Sequence, residues 1–154
     1  MRLTVYTDYS LRVLIYLAVK PERLSTIDEV ADAYGIARNH LTKVVHQLGV
    51  AGYVTTVRGK GGGFRLAKAP ADINIGDVVR KSETDLALVP CFAPICGPCP
   101  IIPACGLKGL IHQAVQAFMA VLDRSTLADL VRQPEALRSL LQLSAIPQPT
   151  TVDA

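Results

Sequence analysis

Apolar residues recur three and four positions apart in several separate stretches of this chain, and the breaks between those stretches set out its elements. Leu11, Val13, Leu14, Leu17 and Ala18 form a stripe at helical spacing, with Thr7 placed to cap the helix that carries them. The "PERL" segment ends it. Ser25, followed three residues on by Asp28, is a weaker form of the capping box and predicts a second helix through about Ala33. "YGI" then makes a tight turn in which Gly35 suits a left-handed conformation. A third helix, from Arg38 to Gly49, buries Leu41, Val44, Val45 and Leu48. Two short helices joined by a Gly-containing turn are the sequence form of a helix-turn-helix.

The period changes next. Val54 to Val57 is rich in β-branched residues and reads as a strand, "RGKGGG" as a flexible turn, and "FRLA" as the returning strand. A hairpin with a basic, Gly-rich tip directly after a helix-turn-helix is the order of a winged helix. "INIGDVVRKSE", from Ile73, predicts another short helix. Pro103 stands where a long helix can begin, a position at which its missing N–H is not needed. That helix runs to about Leu122, with Leu107, Leu110, Ile111, Ala114, Val115, Phe118, Val121 and Leu122 along one side. A long amphipathic helix that outruns a small winged helix either packs back on its own domain or calls for a partner surface, of which a second copy of the chain is the simplest and the reading preferred. "STLADLV" begins a short capped helix, residues 135–143 form a further one, and "IPQPTTVDA" reads as a loose tail. The fold class is therefore mainly α with a small β-hairpin: a winged helix-turn-helix plus a long dimerisation helix.

Composition narrows the class. Half of the 154 residues are hydrophobic and the mean hydropathy is +0.32, enough for a real core. No apolar run reaches the ~18 residues of a membrane span, and the first helix, which contains Asp8 and Arg12, is not a signal-peptide core. The reading is a soluble, cytoplasmic protein. The net charge of +3 is mild, but its distribution is uneven. From Ile36 to Lys68 the charged residues are Arg38, Lys43, Arg58, Lys60, Arg65 and Lys68, with no acidic residue among them, while Asp28, Glu29 and Asp32 lie just upstream. Such a block is either a solvated basic face or an electrostatic footprint for nucleic acid. With the helix-turn-helix, Arg38, Asn39, His40, Thr42 and Lys43 fall at the start of the recognition helix, whose N-terminal residues reach base edges in the major groove. Arg and Asn are suited to bidentate readout of G and A. Arg58 and Lys60 at the hairpin tip would enter the minor groove or grip phosphates.

All four cysteines lie in one Pro-rich loop, "CFAPICGPCPIIPAC": Cys91, Cys96, Cys99 and Cys105. In a reducing compartment such a cluster binds metal or senses redox state. By local spacing a zinc site and an iron–sulfur site are equally compatible, and a redox-switch disulfide needs only two of the four. Pro90, Pro94, Pro98, Pro100 and Pro103 lower the entropy lost on wrapping an ion. Cys105 falls in the first turn of the long helix, where the positive end of the dipole suits an anionic group. The sequence carries no Ser-His-acid grouping, P-loop or nucleotide fingerprint. A thiol–disulfide activity at Cys96 and Cys99 lacks the βαβ setting such a pair needs. The chain reads as a non-enzyme.

"MRLTVYTDYSLRVLIYLA", "RNHLTKVVHQLGVAGYVTTVRGKGGGFRL", "INIGDVVR" and "CPIIPACGLK" together resemble the bacterial winged-helix iron–sulfur regulators, over residues 1–131. Within that family "TDY", "RNHLTK" and a cysteine loop ending in "PAC" are similar to the nitric-oxide-sensing repressors. The cluster-assembly branch carries a histidine at the position of Lys108, and His112, seven residues after Cys105, reads as structural. The resemblance implies a homodimeric repressor of nitrosative-stress genes on a pseudo-palindromic operator, with nitric oxide as its signal. It further implies one 4Fe–4S cluster per subunit, held by Cys91, Cys99 and Cys105 and completed by Asp8 of the partner subunit. Cys96 departs from the three-cysteine pattern: it is an alternative fourth ligand in place of Asp8, a bystander, or a thiol that reports oxidation. The implied organisation is a DNA-binding domain over 1–82, a cysteine-rich cluster-binding loop over 83–106, a dimerisation helix and short following helix over 107–132, and a loose C-terminal tail over 133–154.

Overall fold

Helix α1 (Val5–Val19) is the element on which the others assemble; the third, fourth, sixth and seventh helices and the second hairpin strand all pack against it. Its Val13, Leu14, Tyr16, Leu17 and Val19 are buried. The computed structural model describes residues 2–92 and 99–143. α1 is capped by Thr4, whose hydroxyl accepts from Thr7 N at 3.2 Å. The cap therefore lies three residues before the Thr7 expected from sequence. Thr7 is instead buried in the first turn, its hydroxyl donating to Ser82 Oγ at 3.0 Å.

Helix α2 (Ile27–Tyr34) starts at a complete capping box formed by Thr26 and Glu29, one residue beyond the expected Ser25 and Asp28. Such a cap is worth about 1 kcal/mol. Ser25 is taken up otherwise: its backbone forms an antiparallel bridge with Phe64, with N···O distances of 2.9 and 2.8 Å. α2 ends at Gly35, left-handed at φ 64°. Helix α3 (Arg38–Val50) follows and seats Leu41, Val44, Val45 and Leu48 in the core. Strands β1 (Val54–Val57) and β2 (Gly63–Leu66) pair antiparallel in the register Val54↔Leu66, Thr55↔Arg65, Thr56↔Phe64 and Val57↔Gly63. Phe64 points to the core and Arg65 to solvent. The expected mainly helical winged helix-turn-helix is the fold observed.

Helix α4 (Ile75–Ser82) begins two residues after Ile73, under an Asn74 cap that accepts from Asp77 N at 3.0 Å. The long helix, α5 (Gly106–Asp123), starts three residues later than Pro103. Pro103 lies in a separate 3-10 turn, Ile102–Ala104, and Cys105 is the N-cap of α5 rather than a member of its first turn. The C-terminal end of α5 is anchored on the core. Met119 is buried, Leu122 packs on the core, and Asp123 accepts from both terminal nitrogens of Arg80 at 2.7 and 2.6 Å. Asn74 Nδ2 donates to the Asp123 carbonyl at 2.7 Å. Gly76 lies so close that a β-carbon there would come within 1.9 Å of Asp123 Oδ1.

Helix α6 (Leu127–Leu130) follows a Thr126–Asp129 capping box, and α7 (Pro134–Leu140) closes the described chain. Within the span 133–154 expected as a loose tail, the described residues 134–143 thus include a helix and pack on the body of the protein. Arg138 pairs with Glu22, and Leu141 and Leu143 pack against the core. The helix expected over 135–143 stops at Leu140, and the tail beginning at Ile146 lies outside the described residues.

Candidate nucleic-acid interface and cysteine site

The first two turns of α3 present Arg38, Asn39, His40, Thr42 and Lys43 to solvent. Each is held differently. Arg38 Nε lies 3.0 Å from Asp28 Oδ1 on α2. Asn39 Oδ1 accepts from His40 N at 2.9 Å, and the Thr42 hydroxyl donates to the Arg38 carbonyl at 2.9 Å. The His40 ring stacks on Tyr9 of α1, with centroids 6.1 Å apart at 29°. Lys43 is exposed on the same helix face. Sequence reasoning stopped at Lys43, but His46 and Gln47 continue the exposed face at i+7 and i+8 from Asn39. The signal was present in the helical period of the buried set, which leaves 39, 42, 43 and 46 outward.

Arg58 and Lys60 lie at the exposed hairpin tip, where Gly59 and Gly61 have φ of 101° and 77°, values that favour glycine. Arg65, opposite Thr55, extends the basic surface along β2. The block of like charge is therefore real on the surface, with one amendment: Arg38 carries an acidic partner from α2.

Asp8 lies in the first turn of α1, paired with Arg12 at 2.9 Å, the two side chains 48% and 43% exposed. The Arg12 guanidinium also lies 5.8 Å from the centre of the Tyr34 ring. Burial pushes the Tyr34 phenol up to about 12, against the opposing pull of Arg12. Tyr34 closes α2 just before the helix-turn-helix turn, so one face of α1 touches both helices of that motif, through Tyr9 and through Arg12.

Among the cysteines, Cys91 lies in a 3-10 turn (Pro90–Phe92) and Cys105 at the head of α5. Both line one cavity of about 790 Å³, together with Leu86, Phe92, Lys108, His112 and Val115. His112 meets Phe92 edge-on at 6.1 Å and contacts Gln116 at 2.8 Å, a packing role. Cys99 is exposed, its carbonyl accepting from Ile102 N at 3.3 Å. Cys96 lies outside the described residues. Among the described residues no three metal-ligating side chains converge, and Asp8 is not among those lining the cavity. The donor set nonetheless fits a thiolate-bound, anionic group. Two sulfurs face one space, Cys105 makes no side-chain bond to the α5 amides, and Lys108 adds a positive charge.

The eight apolar residues expected on one side of α5 divide between two faces. Ile111, Val115, Phe118 and Leu122 are half-buried, turned toward the body of the protein. Leu107, Leu110, Ala114 and Val121 are exposed, and with Ala117, which was not among the eight, they lie at spacings of three, four, three and four, the repeat of a helix–helix seam.

A winged helix with a basic recognition helix and a basic hairpin tip defines a DNA-binding regulator. The chain belongs to the Rrf2 family: the family model described as "Iron-dependent Transcriptional regulator" matches residues 3–133. It is 53% identical over 144 residues to the HTH-type transcriptional regulator NsrR of Bacillus subtilis (strain 168), covering 93% of this chain and 99% of that one. It is 50% identical over 149 residues to the NsrR of Shouchella clausii (strain KSM-K16), covering 96% and 100%. Among solved structures it is similar to the oxidized form of Staphylococcus aureus CymR, at 26% identity and a TM-score of 0.68, over 84% of this chain and 95% of that one. The protein is accordingly a DNA-binding transcriptional regulator and not an enzyme. Among the described residues no helix is long and apolar enough to cross a membrane.

Proposed function

We propose that this chain is a homodimeric, cytoplasmic repressor whose grip on a pseudo-palindromic operator is set by an iron–sulfur cluster that responds to nitric oxide. The observation that carries the reading is the meeting of Cys91 and Cys105 on one cavity at the head of α5, in a chain about half identical to regulators named NsrR. Cys91, Cys99 and Cys105 would hold one 4Fe–4S cluster per subunit, with Asp8 of the partner subunit or Cys96 as fourth ligand. When bound, the cluster supplies iron open to a small diatomic ligand.

The chain's own residues do the rest. Lys108 balances negative charge at the cavity, and Phe92 and Val115 give it an apolar wall. The outward seam of α5 joins two copies, its small Ala114 and Ala117 letting the helices approach closely. Two copies related by a two-fold axis present two recognition helices to half-sites one helical turn apart, ~10–10.5 bp, or a multiple of it. Arg38, Asn39, His40, Thr42 and Lys43 read bases, and Arg58 and Lys60 hold the backbone or the minor groove. Tyr9, next to Asp8, bears on His40, so a change in what Asp8 binds is felt at the recognition helix.

The test is anaerobic purification followed by absorption spectroscopy and iron, sulfide and zinc analysis. Wild type should hold iron and sulfide. Cys91→Ala, Cys99→Ala and Cys105→Ala should each lose both, and Cys96→Ala should keep them if Asp8 of the partner subunit completes the site. Stoichiometric zinc without iron or sulfide overturns the reading in favour of a zinc-stabilised regulator.

A further inference from the structure

We infer that Asp28 is a specificity-determining positioning residue, which aims the guanidinium of Arg38 at a base pair of the operator. The inference rests on the reading of α3 as the recognition helix with Arg38 as a base-reading side chain. It adds that the discrimination made by Arg38 is set from α2.

Three observations converge on it. The first is the geometry of the pair. The recorded contact runs from Arg38 Nε to Asp28 Oδ1 at 3.0 Å. An ion pair whose closest approach is at Nε orients the side chain, while the edge formed by the two terminal nitrogens is the one that makes two parallel hydrogen bonds with another partner. That edge is the one matched to O6 and N7 of guanine.

The second is rigidity on both sides. Asp28 lies inside the Thr26–Glu29 capping box, so its backbone is fixed by the box on either side of it. Arg38 is the first residue of α3, and its carbonyl is held by the Thr42 hydroxyl. The carboxylate thus removes rotamer freedom that a long arginine would otherwise lose on binding.

The third is the contrast within α2. Its neighbour Glu29 is consumed by the Thr26 amide, Lys20 and Arg23. Asp28 reaches across to α3 instead. Both members of the Arg38–Asp28 pair are more than half exposed, 64% and 57%, and pairs so exposed add little to folding stability. A carboxylate on a surface that meets phosphates also opposes non-specific binding. The two effects have opposite signs: Asp28 weakens attraction to any duplex and sharpens the choice among duplexes.

The experiment uses the anaerobically purified full chain as wild type, Asp28→Asn, Asp28→Glu, Arg38→Ala and the Asp28→Asn/Arg38→Ala double variant. Each is mixed with a randomised double-stranded DNA library, and the bound fraction is sequenced to give a base-preference profile. The wild-type consensus duplex and a scrambled duplex are then titrated at one salt concentration.

Asp28→Asn should tighten binding to the scrambled duplex while lowering preference at the base pair read by Arg38 by ~5-fold or more. A complete bidentate contact supplies roughly 5- to 150-fold. Asp28→Glu should recover part of the preference, and in the Arg38→Ala background Asp28→Asn should leave the profile unchanged. If Asp28→Asn strengthens both duplexes equally with the profile intact, Asp28 is only a repulsive surface charge and the inference fails. If it alters the profile even without Arg38, it acts by another route and the inference also fails. An unchanged profile in Arg38→Ala itself overturns the assignment of the reading face, a failure distinct from the other two.

Discussion

Replacing Asp8 by Ala separates structural damage from loss of control, because the structure limits how much folding stability Asp8 can supply. Its pair with Arg12 is an i,i+4 contact at 2.9 Å with both side chains nearly half exposed, a class worth about 0.3–0.5 kcal/mol. Its place in the first turn of α1 adds a helix-dipole contribution of about 0.3–1 kcal/mol. Together these stay below about 1.5 kcal/mol, which for a chain of this size lowers the melting temperature by no more than about 6 °C. Arg12 keeps its contact with the Tyr34 ring when Asp8 is gone. The variant therefore folds, and a larger change in DNA binding has to come through coupling between sites. Coupling of about 1–3 kcal/mol corresponds to roughly 5- to 150-fold in affinity. Cluster-loaded Asp8→Ala should bind operator more weakly by a factor in that range, or respond at a different nitric oxide dose. Asp8→Cys should keep the cluster and resist the signal. The assays are thermal melting of cluster-free protein and operator binding by fluorescence anisotropy, titrated with nitric oxide under anaerobic conditions. If Asp8→Ala matches wild type in both affinity and dose while Cys96→Ala loses the cluster, Asp8 is a helix-end residue only and Cys96 is the fourth ligand.

Three further outcomes are expected. Arg58→Ala and Lys60→Ala should each weaken DNA binding and reduce the slope of log affinity against log salt by about 0.9; an unchanged slope means that the hairpin tip does not touch phosphates. Leu110→Glu and Ala117→Glu should give monomers by light scattering while the core stays folded, since both positions lie on the outward seam of α5; dimers that persist place the interface elsewhere. Burial pushes the Glu29 carboxyl up, but the Thr26 amide, Arg23 and Lys20 together draw it below its ordinary value. Its folded value is thus depressed, so the stability it gives is present above about pH 4.3 and is lost as pH falls through the lower folded value. Melting temperatures should decline below that point, and Glu29→Gln should flatten the decline; an identical acid profile in the variant assigns the effect to other carboxylates.

What could be read before the structure was whatever depends on local period and turn chemistry. The buried set of α3, the left-handed Gly35 and the hairpin each follow from spacing within one element; of the stripe expected on α1, Val13, Leu14 and Leu17 are buried, while Leu11 and Ala18 are half-buried and Tyr16 and Val19 are buried outside it. Caps were legible in kind and misplaced by one to three residues, because several hydroxyls compete near each helix start and tertiary contacts decide among them. Thr7 is withdrawn from capping by Ser82, seventy-five positions away in sequence. The start of α5 was misjudged because a proline tolerated in a first helical turn is equally at home in a 3-10 turn. Sequence period could not divide the apolar residues of α5 between the body of the protein and an outward seam, since that division depends on where α4 lies. The pairing of Arg38 with Asp28 and the stack of Tyr9 on His40 were invisible for the same reason: each joins two helices whose relative placement no single-element pattern encodes.

The close fit of Gly76 against Asp123 makes α5 a cantilever. The helix is about 27 Å long at 1.5 Å per residue, clamped near Asp123 by Arg80 and Asn74, with Cys105 at its far end. A tilt of about 5° at the clamp swings that end by roughly 2 Å. The relation runs in reverse as well, so any group that pins the tip at Cys105 resists rotation at the root with the mechanical advantage of the full arm. Stiffness at the root then decides how much of a disturbance at the tip reaches α4, and a glycine that admits no gap is what keeps that joint stiff.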